Sequence, residues 1–260
     1  MRTAKDAART VVDGAAEALV GLSHRVHATP ELAFEEHRTA ELVASKLSGW
    51  GYAVHRGLGG TGVVGTLKKG NNKRTLGLRA DMDALPIQEA NGLPWASKTP
   101  GLMHACGHDG HTAMLLAAAR HLSRHRNFDG TVYLVFQPAE EGGAGARAMM
   151  RDGLFERFDC DAVFGLHNAP GRATGSFGVR AGPFMSSSNR FRIDLKGKGT
   201  HASQPDTGVD PLMCAGQILM GLQTITQYLP SWVAPTPAFC QLVTGMVVIL
   251  VMLHVILIGC

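Results

Sequence analysis

Apolar side chains recur at helical spacing in four segments of the chain. The first predicts a helix over Ala4–His27, which ends before Pro30 because proline cannot continue a helix. The same periodicity predicts three further helices, over Glu36–Leu47, Gly110–His121 and Leu212–Thr226.

Between these helices lie short segments with the pattern of strands. Thr61–Leu67 and Arg74–Ala80 are joined by a polar turn, and Thr131–Gln137 and Asp161–Leu166 are almost continuously apolar, as in strands buried on both faces. Because strands alternate with helices, the sequence predicts an α/β fold: a mostly parallel sheet with helices on both faces.

The pattern changes near residue 189. Phe191, Ile193 and Leu195 alternate with charged residues, which is typical of a strand with one solvated face. Together with the last predicted helix, this segment indicates the opening of a smaller α+β domain that the chain leaves incomplete. We therefore expect a main domain over residues 1–185, a partial second domain over 186–230 and an apolar tail over 231–260.

The tail differs from the rest of the chain in composition. All 25 Lys and Arg residues lie at or before Lys198, and Phe239–Cys260 is almost wholly apolar. Such a length can span a bilayer, but the Lys and Arg residues that usually flank a spanning helix are missing. Three interpretations stay open: a C-terminus altered by a reading-frame error, which we favour, a membrane anchor, and a buried core segment.

Overall composition excludes several classes of protein. With 45% hydrophobic and 18% charged residues, the 260-residue chain has the composition of a folded globular protein. The net charge of +4 is spread out, so we expect no nucleic-acid partner. Five scattered cysteines favour a reducing compartment, and the charged N-terminal segment is not a secretory signal. We expect a cytoplasmic protein without a membrane partner.

Side chains suited to chemistry follow three of the predicted strands. Asp81 and Asp83 follow the second, Glu140 and Glu141 follow the third, and His167 closes the fourth. In an open α/β sheet, ligands bind beyond the carboxyl ends of the strands. The topology therefore predicts that these carboxylates and this imidazole meet at one edge.

A fourth cluster, residues 104–111, precedes the helix that starts near Gly110. Cys106 and His108 are two positions apart, so in an extended loop they can face one centre. Cys, His and carboxylate side chains together are ligands for divalent metals, and we predict a metal site with Glu141 and His167. One of the two adjacent glutamates can bind metal while the other takes a proton from water; the spacing leaves open which does which.

Six segments resemble signatures of the amidohydrolases that include hippurate hydrolase, aminoacylases and plant auxin-conjugate hydrolases. The resemblance runs from about residue 13 to residue 227 and implies a zinc-exopeptidase-like fold with a lid domain. The segments are His24–Leu32, Leu78–Pro86, His104–His111, Phe136–Gly142, Gly165–His167 and Gly197–Ser203.

This resemblance also implies an activity and a role for each site residue. The reaction would be hydrolysis of the amide bond of small, hippurate-like N-acyl amino acids, by water that two divalent ions activate. Zinc or manganese is expected, and nickel or cobalt also suits the donors. The implied metal ligands are Cys106, His108, Glu141 and His167. The implied general base is Glu140, Asp83 orients a ligand, and the lid residue His201 steadies the oxyanion.

Members of this family continue well beyond this length. They complete the lid, through which we expect homodimers in a complete version, and they return to the catalytic domain with a last histidine ligand. We therefore expect impaired activity, and an inactive truncated relative or a metal-binding protein without catalysis is the alternative. A cysteine hydrolase, with Cys106 as nucleophile and His108 or His111 as base, is a further alternative that leaves the carboxylates unexplained.

Overall fold

The computed structural model describes residues 16–179, 181–182 and 192–228, and the chain divides into two compact units, Met1–Arg172 and Ala173–Cys260. Within the first unit the strands are β1 (Ala53–Leu58), β2 (Gly62–Lys69), β3 (Thr75–Asp81), β4 (Gly130–Gln137) and β5 (Ala162–Gly165). Its described helices are α1 (Ala16–His27), α2 (His37–Gly49), α3 (His108–His125), α4 (Gly145–Arg151) and α5 (Leu154–Arg157).

The five strands form one sheet in the order β1-β2-β4-β3-β5. β3 runs parallel to both β4 and β5, whereas β2 pairs antiparallel with β1 and with β4. The predicted α/β class is confirmed, and the sheet is mixed. β1 is an additional edge strand that the sequence pattern did not predict, and a tight hairpin joins it to β2. A side chain at Gly62 would meet the Leu58 carbonyl oxygen at 2.3 Å.

Both faces of the sheet carry an apolar core. Val63 of β2 and Leu134 of β4 belong to the larger core, to which α1, α2 and α3 contribute. The next residues along these strands, Val64 and Val135, belong to a second core with Met149 of α4. Because neighbouring side chains of a strand point to opposite faces, the two cores lie on opposite sides of the sheet. The prediction of helices on both faces of the sheet is therefore confirmed.

The parallel strands end at one edge of the sheet. Asp81, the last residue of β3, is in register with Gln137, the last residue of β4, and Gly165 at the end of β5 is in register with Arg79. α3 begins at His108, where Gly107 lies at φ 86°. A side chain at Gly107 would come within 2.8 Å of Asn168, so this close approach requires glycine.

The second unit contains a short 3₁₀ helix (Pro205–Thr207) and α6 (Pro211–Tyr228), close to the predicted last helix. The prediction of a strand around residues 189–196 is wrong for its described part, since residues 192–197 have no regular secondary structure. Only an isolated antiparallel bridge forms nearby, between Lys198 and Val209. A strand needs a neighbour for its backbone groups, and no described segment pairs with residues 192–197.

Two predictions lie outside the described residues: the start of the first helix, over residues 4–15, and the apolar tail over residues 231–260. Within the described ranges, no helix has the length and hydropathy needed to cross a membrane.

The packing of α3 predicts a strong effect of truncating Leu116, which is fully buried in the larger core. Leu116→Ala should lower the free energy of unfolding by about 2–5 kcal/mol, because it removes apolar contacts and leaves a cavity. Urea denaturation followed by circular dichroism measures this. Met114→Ala is the control, since Met114 lies on the same helix and is 46% exposed; its effect should stay within about 0.5 kcal/mol. Equal effects of both substitutions would contradict the described packing of α3.

Candidate metal centre

The buried carboxylate of Asp83 connects three segments at the edge where the parallel strands end. The His108 imidazole contacts Asp83 through Nδ1, at 2.9 Å from its backbone oxygen and 3.2 Å from its Oδ1. The backbone N–H of Glu141 donates to the other carboxylate oxygen of Asp83 at 2.8 Å. Because Nδ1 faces two acceptors, it carries a proton, so the neutral form of the ring, which can bind a metal, presents its lone pair on Nε2.

That Nε2 atom faces two glutamates. It lies 3.9 Å from Oε1 of Glu141 and 3.9 Å from Oε2 of Glu140. Both His108 Nε2 and Glu141 Oε1 are buried, and neither has a hydrogen-bond partner among the described residues. Buried polar atoms are normally partnered, so two neighbouring acceptors without a donor mark a position suited to a cation.

Next to these groups, Cys106 and His167 approach each other. Cys106 Sγ lies 3.4 Å from His167 Nε2, and His167 Nδ1 lies 2.7 Å from the backbone oxygen of Asn168. His167 resembles His108 in that its Nδ1 donates to a backbone carbonyl, which leaves the lone pair on Nε2, and this Nε2 faces the Cys106 thiol.

Among the residues that the structure describes, three groups of side chains could hold a metal ion, and His108 belongs to each of them. Within each group, the potential ligand atoms all lie within 4.8 Å of one another. The groups are Cys106, His108 and His167; His108, Glu140 and Glu141; and Asp81, His108 and His111. The third group differs from the others because Asp81 and His111 already have partners.

Asp81 and His111 form a buried network that the sequence analysis did not assign. Asp81 accepts hydrogen bonds from His111 Nδ1 at 2.6 Å and from Arg79 at 2.8 Å. Burial opposes ionisation of Asp81, but the His111 hydrogen bond and the Arg79 charge outweigh it and lower the pKa of Asp81 to about 2. His111 Nε2 accepts the backbone N–H of Asn168 at 3.0 Å, next to His167. His111 follows His108 by three residues on α3 and so lies on the same helix face. This spacing is the sequence pattern that indicates a place for His111 beside the site.

Negative charge is concentrated around His108. Burial lowers the pKa of this imidazole, but the hydrogen bond to Asp83, the contact with Cys106 and the charge of Asp81 outweigh burial and raise it to about 11. Burial raises the pKa of Glu141, and repulsion from Glu140 and Asp83 adds to this rise against the opposing effects of Cys106 and His108. The rise for His108 and the repulsion at Glu141 have one cause in common, the acidic groups gathered around His108, and a divalent ion would offset their negative charge.

A second buried network joins α1 to the start of α3. His27 lies between two carboxylates, with Nδ1 3.1 Å from Asp109 and Nε2 3.0 Å from Glu89. Ser23 also donates to Asp109, at 3.0 Å. Burial opposes protonation of His27, but the Glu89 hydrogen bond and the Asp109 charge outweigh it and raise the pKa of His27 above its ordinary value.

The structure brings together six of the seven predicted site residues within the first unit. These are Asp83, Cys106, His108, Glu140, Glu141 and His167. The seventh, His201, lies in the second unit, where it is exposed and its Nδ1 is 2.8 Å from the Ser203 hydroxyl.

Comparison with protein families adds an independent finding. The sequence profile described as peptidase family M20/M25/M40 matches residues 77–247. The chain is 52% identical over 204 residues to the hippurate hydrolase of Campylobacter jejuni, covering 78% of this chain and 53% of that protein. It is 44% identical over 208 residues to the N-acetyl-L-cysteine deacetylase of Bacillus subtilis, covering 80% of this chain and 50% of that protein.

Solved structures agree with these matches. A dinuclear metal-binding peptidase of the M20 family from Bacillus subtilis aligns with a TM-score of 0.65 and 37% identity, covering 80% of this chain and 55% of that structure. The chain thus spans about half the length of the curated relatives it matches.

The His27 network predicts a pH dependence of stability. Because the pKa of His27 is raised on folding, its contribution should be fully present below the unfolded value of about 6.5 and lost as pH rises through the folded value. The difference in unfolding free energy between the parent and His27→Gln should therefore shrink from pH 6 to pH 9, measured by urea denaturation. His37→Gln, at an exposed position, is the control. A difference for His27→Gln that is constant over this range would refute the proposed charge on His27.

Proposed function

This chain belongs to peptidase family M20/M25/M40, and we propose that it carries the metal-binding site of an amidohydrolase that removes the acyl group from N-acyl amino acids. The observation that carries the proposal is the pair of buried, unpartnered atoms His108 Nε2 and Glu141 Oε1, which lie beside Cys106 and His167. The two curated relatives support the substrate class, since their names describe action on hippurate and on N-acetyl-L-cysteine.

We propose that Cys106, His108, Glu141 and His167 hold two divalent metal ions. Sulfur, imidazole and carboxylate donors suit zinc or manganese, and nickel or cobalt also fits this set. When bound, such ions polarise the scissile carbonyl and make water a stronger acid. The carboxylates of Asp81, Asp83, Glu140 and Glu141 all lie close to the His108 imidazole. One imidazolium would not balance their combined negative charge, and this excess supports the binding of divalent cations.

Their exposure distinguishes the two glutamates. The Glu140 side chain is 43% exposed and the Glu141 side chain 23%, so the Glu140 carboxylate is the more accessible to water. We assign Glu140 as the general base, which takes a proton from water and gives it to the leaving nitrogen, and Glu141 as a ligand. Asp83 keeps His108 in the tautomer that presents Nε2.

His201 and the second unit belong to the same proposal. We propose that His201 donates a hydrogen bond to the oxyanion of the tetrahedral intermediate in the complete protein, and that the second unit contributes to a homodimer. A cytoplasmic location agrees with the free thiols of Cys106, Cys160 and Cys214 in the described part of the chain.

The ligand assignment predicts a loss of metal on changing Cys106. Cys106→Ser should weaken binding of Zn²⁺ or Co²⁺ by about 10-fold or more, since serine does not supply a thiolate. Titration calorimetry measures affinity, and the near-ultraviolet charge-transfer band of Co²⁺ reports the thiolate directly. Cys160→Ser is the matched control, because the Cys160 thiol bonds to the Phe158 carbonyl and not to the site. Equal affinity and an unchanged band in both variants would count against Cys106 as a ligand.

The base assignment predicts a loss of rate without a loss of metal. Glu140→Gln should keep bound metal yet reduce glycine release from hippurate by about 10²- to 10⁴-fold. Glu156→Gln, at an exposed position, should change neither quantity. If Glu141→Gln keeps metal and loses rate instead, the two roles are reversed.

The parent chain tests the activity itself. Turnover that a chelator abolishes and added Mn²⁺ or Zn²⁺ restores supports the proposed amidohydrolase. Bound metal without turnover favours a metal-binding protein without catalysis, and turnover that persists under chelation favours a cysteine hydrolase.

A further inference from the structure

Two non-glycine residues with left-handed backbone conformation share one hydrogen-bond acceptor. Phe34 lies at φ 65° and Ala139 at φ 50°, a region that residues with a side chain rarely occupy. The N–H groups of both donate to the same atom, Oε1 of Glu36, at 3.0 Å and 2.8 Å. Residues 34 and 139 are far apart in the sequence, so this carboxylate joins two otherwise separate turns.

Glu36 itself is fully buried. Its other oxygen, Oε2, accepts the hydroxyl of Thr61, so both carboxylate oxygens have neutral donors. A buried carboxylate without a cationic partner is costly, and a fold tolerates it only where its hydrogen bonds hold something in place. An ionised acceptor also binds an N–H group more strongly than a neutral one.

The turn that Glu36 holds carries both catalytic-site glutamates. Ala139 directly precedes Glu140 and Glu141, and its carbonyl accepts the N–H of Gly145 at 3.0 Å. A side chain at Gly143 would come within 2.7 Å of the Ala139 side chain, and one at Gly145 within 1.8 Å of the Pro138 oxygen. The turn is therefore closely packed on one side and bonded to Glu36 on the other.

We infer that Glu36 is a positioning residue for Glu140 and Glu141: by bonding the Ala139 amide it fixes the left-handed turn from which both side chains project. Asp83 holds the same segment from the other end, at the Glu141 amide. This inference rests on the proposed function, because it presumes that these glutamates bind metal and move the proton.

The test compares two buried glutamates of the same region. Glu36→Gln keeps the shape of the side chain but replaces the ionised acceptor with a neutral one. Glu31→Gln is the matched control: Glu31 is also buried and accepts backbone N–H groups, but these belong to Arg38, at 2.9 Å, and Thr39, at 2.8 Å, on α2 and not to the turn that carries Glu140 and Glu141. Circular dichroism and urea denaturation first establish that both variants are folded.

The first readout is the visible spectrum of Co²⁺ bound at saturation, which is independent of turnover. Glu36→Gln should shift the d–d bands and weaken Co²⁺ binding by about 10-fold, because the Glu141 carboxylate moves relative to His108. In an active preparation, kcat should fall by about 10- to 100-fold with little change in KM. Glu31→Gln should leave the spectrum and kcat at the parent values even if it lowers stability.

A rescue makes the inference specific to the backbone of residue 139. Glycine adopts positive φ without help, so Ala139→Gly should restore the parent spectrum in the Glu36→Gln background. If Glu36→Gln does not fold, Glu36→Asp, whose side chain is one methylene shorter and so withdraws the carboxylate from the Ala139 amide, takes its place with the same expected results. A folded Glu36→Gln protein with the parent Co²⁺ spectrum and affinity would overturn the inference. A parent chain that binds Co²⁺ normally but hydrolyses nothing would instead overturn the proposed function and leave the spectral test valid.

Discussion

The hydrogen bonds that Asp83 accepts from the His108 imidazole and the Glu141 amide determine how the site is assembled. Asp83 follows β3, His108 begins α3 and Glu141 follows β4, so these bonds join three segments. They also set the direction of the free Nε2 lone pair. Without Asp83 the imidazole would be free to rotate and the glutamate turn would lose one of its two anchors, while the sheet behind it would keep its own hydrogen bonds.

The electrostatics of the site follow from the same arrangement. Four carboxylates and a thiol surround His108, and Arg79 pairs with only one of the carboxylates. The packing of the helices and the sheet must keep these groups together against their mutual repulsion. His111, Glu36 and His27 each join segments that are distant in sequence; the side chains of His111 and Glu36 are buried and that of His27 is partly buried.

Strand-end reasoning predicted most of the site, because the carboxyl ends of parallel strands coincide whatever the details of packing. Asp83, Glu140 and His167 could be found in that way. The edge strand β1 could not, since Ala53–Leu58 contains polar residues and a glycine that hide its strand character. The role of Glu36 was equally hidden: a glutamate just before a helix has the pattern of a solvated residue, and only long-range packing buries it against Ala139.

The origin of the site in separate strands and loops has a consequence for the order of folding. Cys106, His108, Glu141 and His167 approach one another only after β3, β4 and β5 have paired and α3 has packed against them. In small zinc domains the ion gathers its ligands and creates the fold. Here the hydrophobic cores of the sheet form first, since long segments separate the proposed ligands in the sequence and must close before these side chains meet. The chain would thus acquire metal as a late step of maturation, and a cell short of metal would accumulate a folded precursor that awaits its ions.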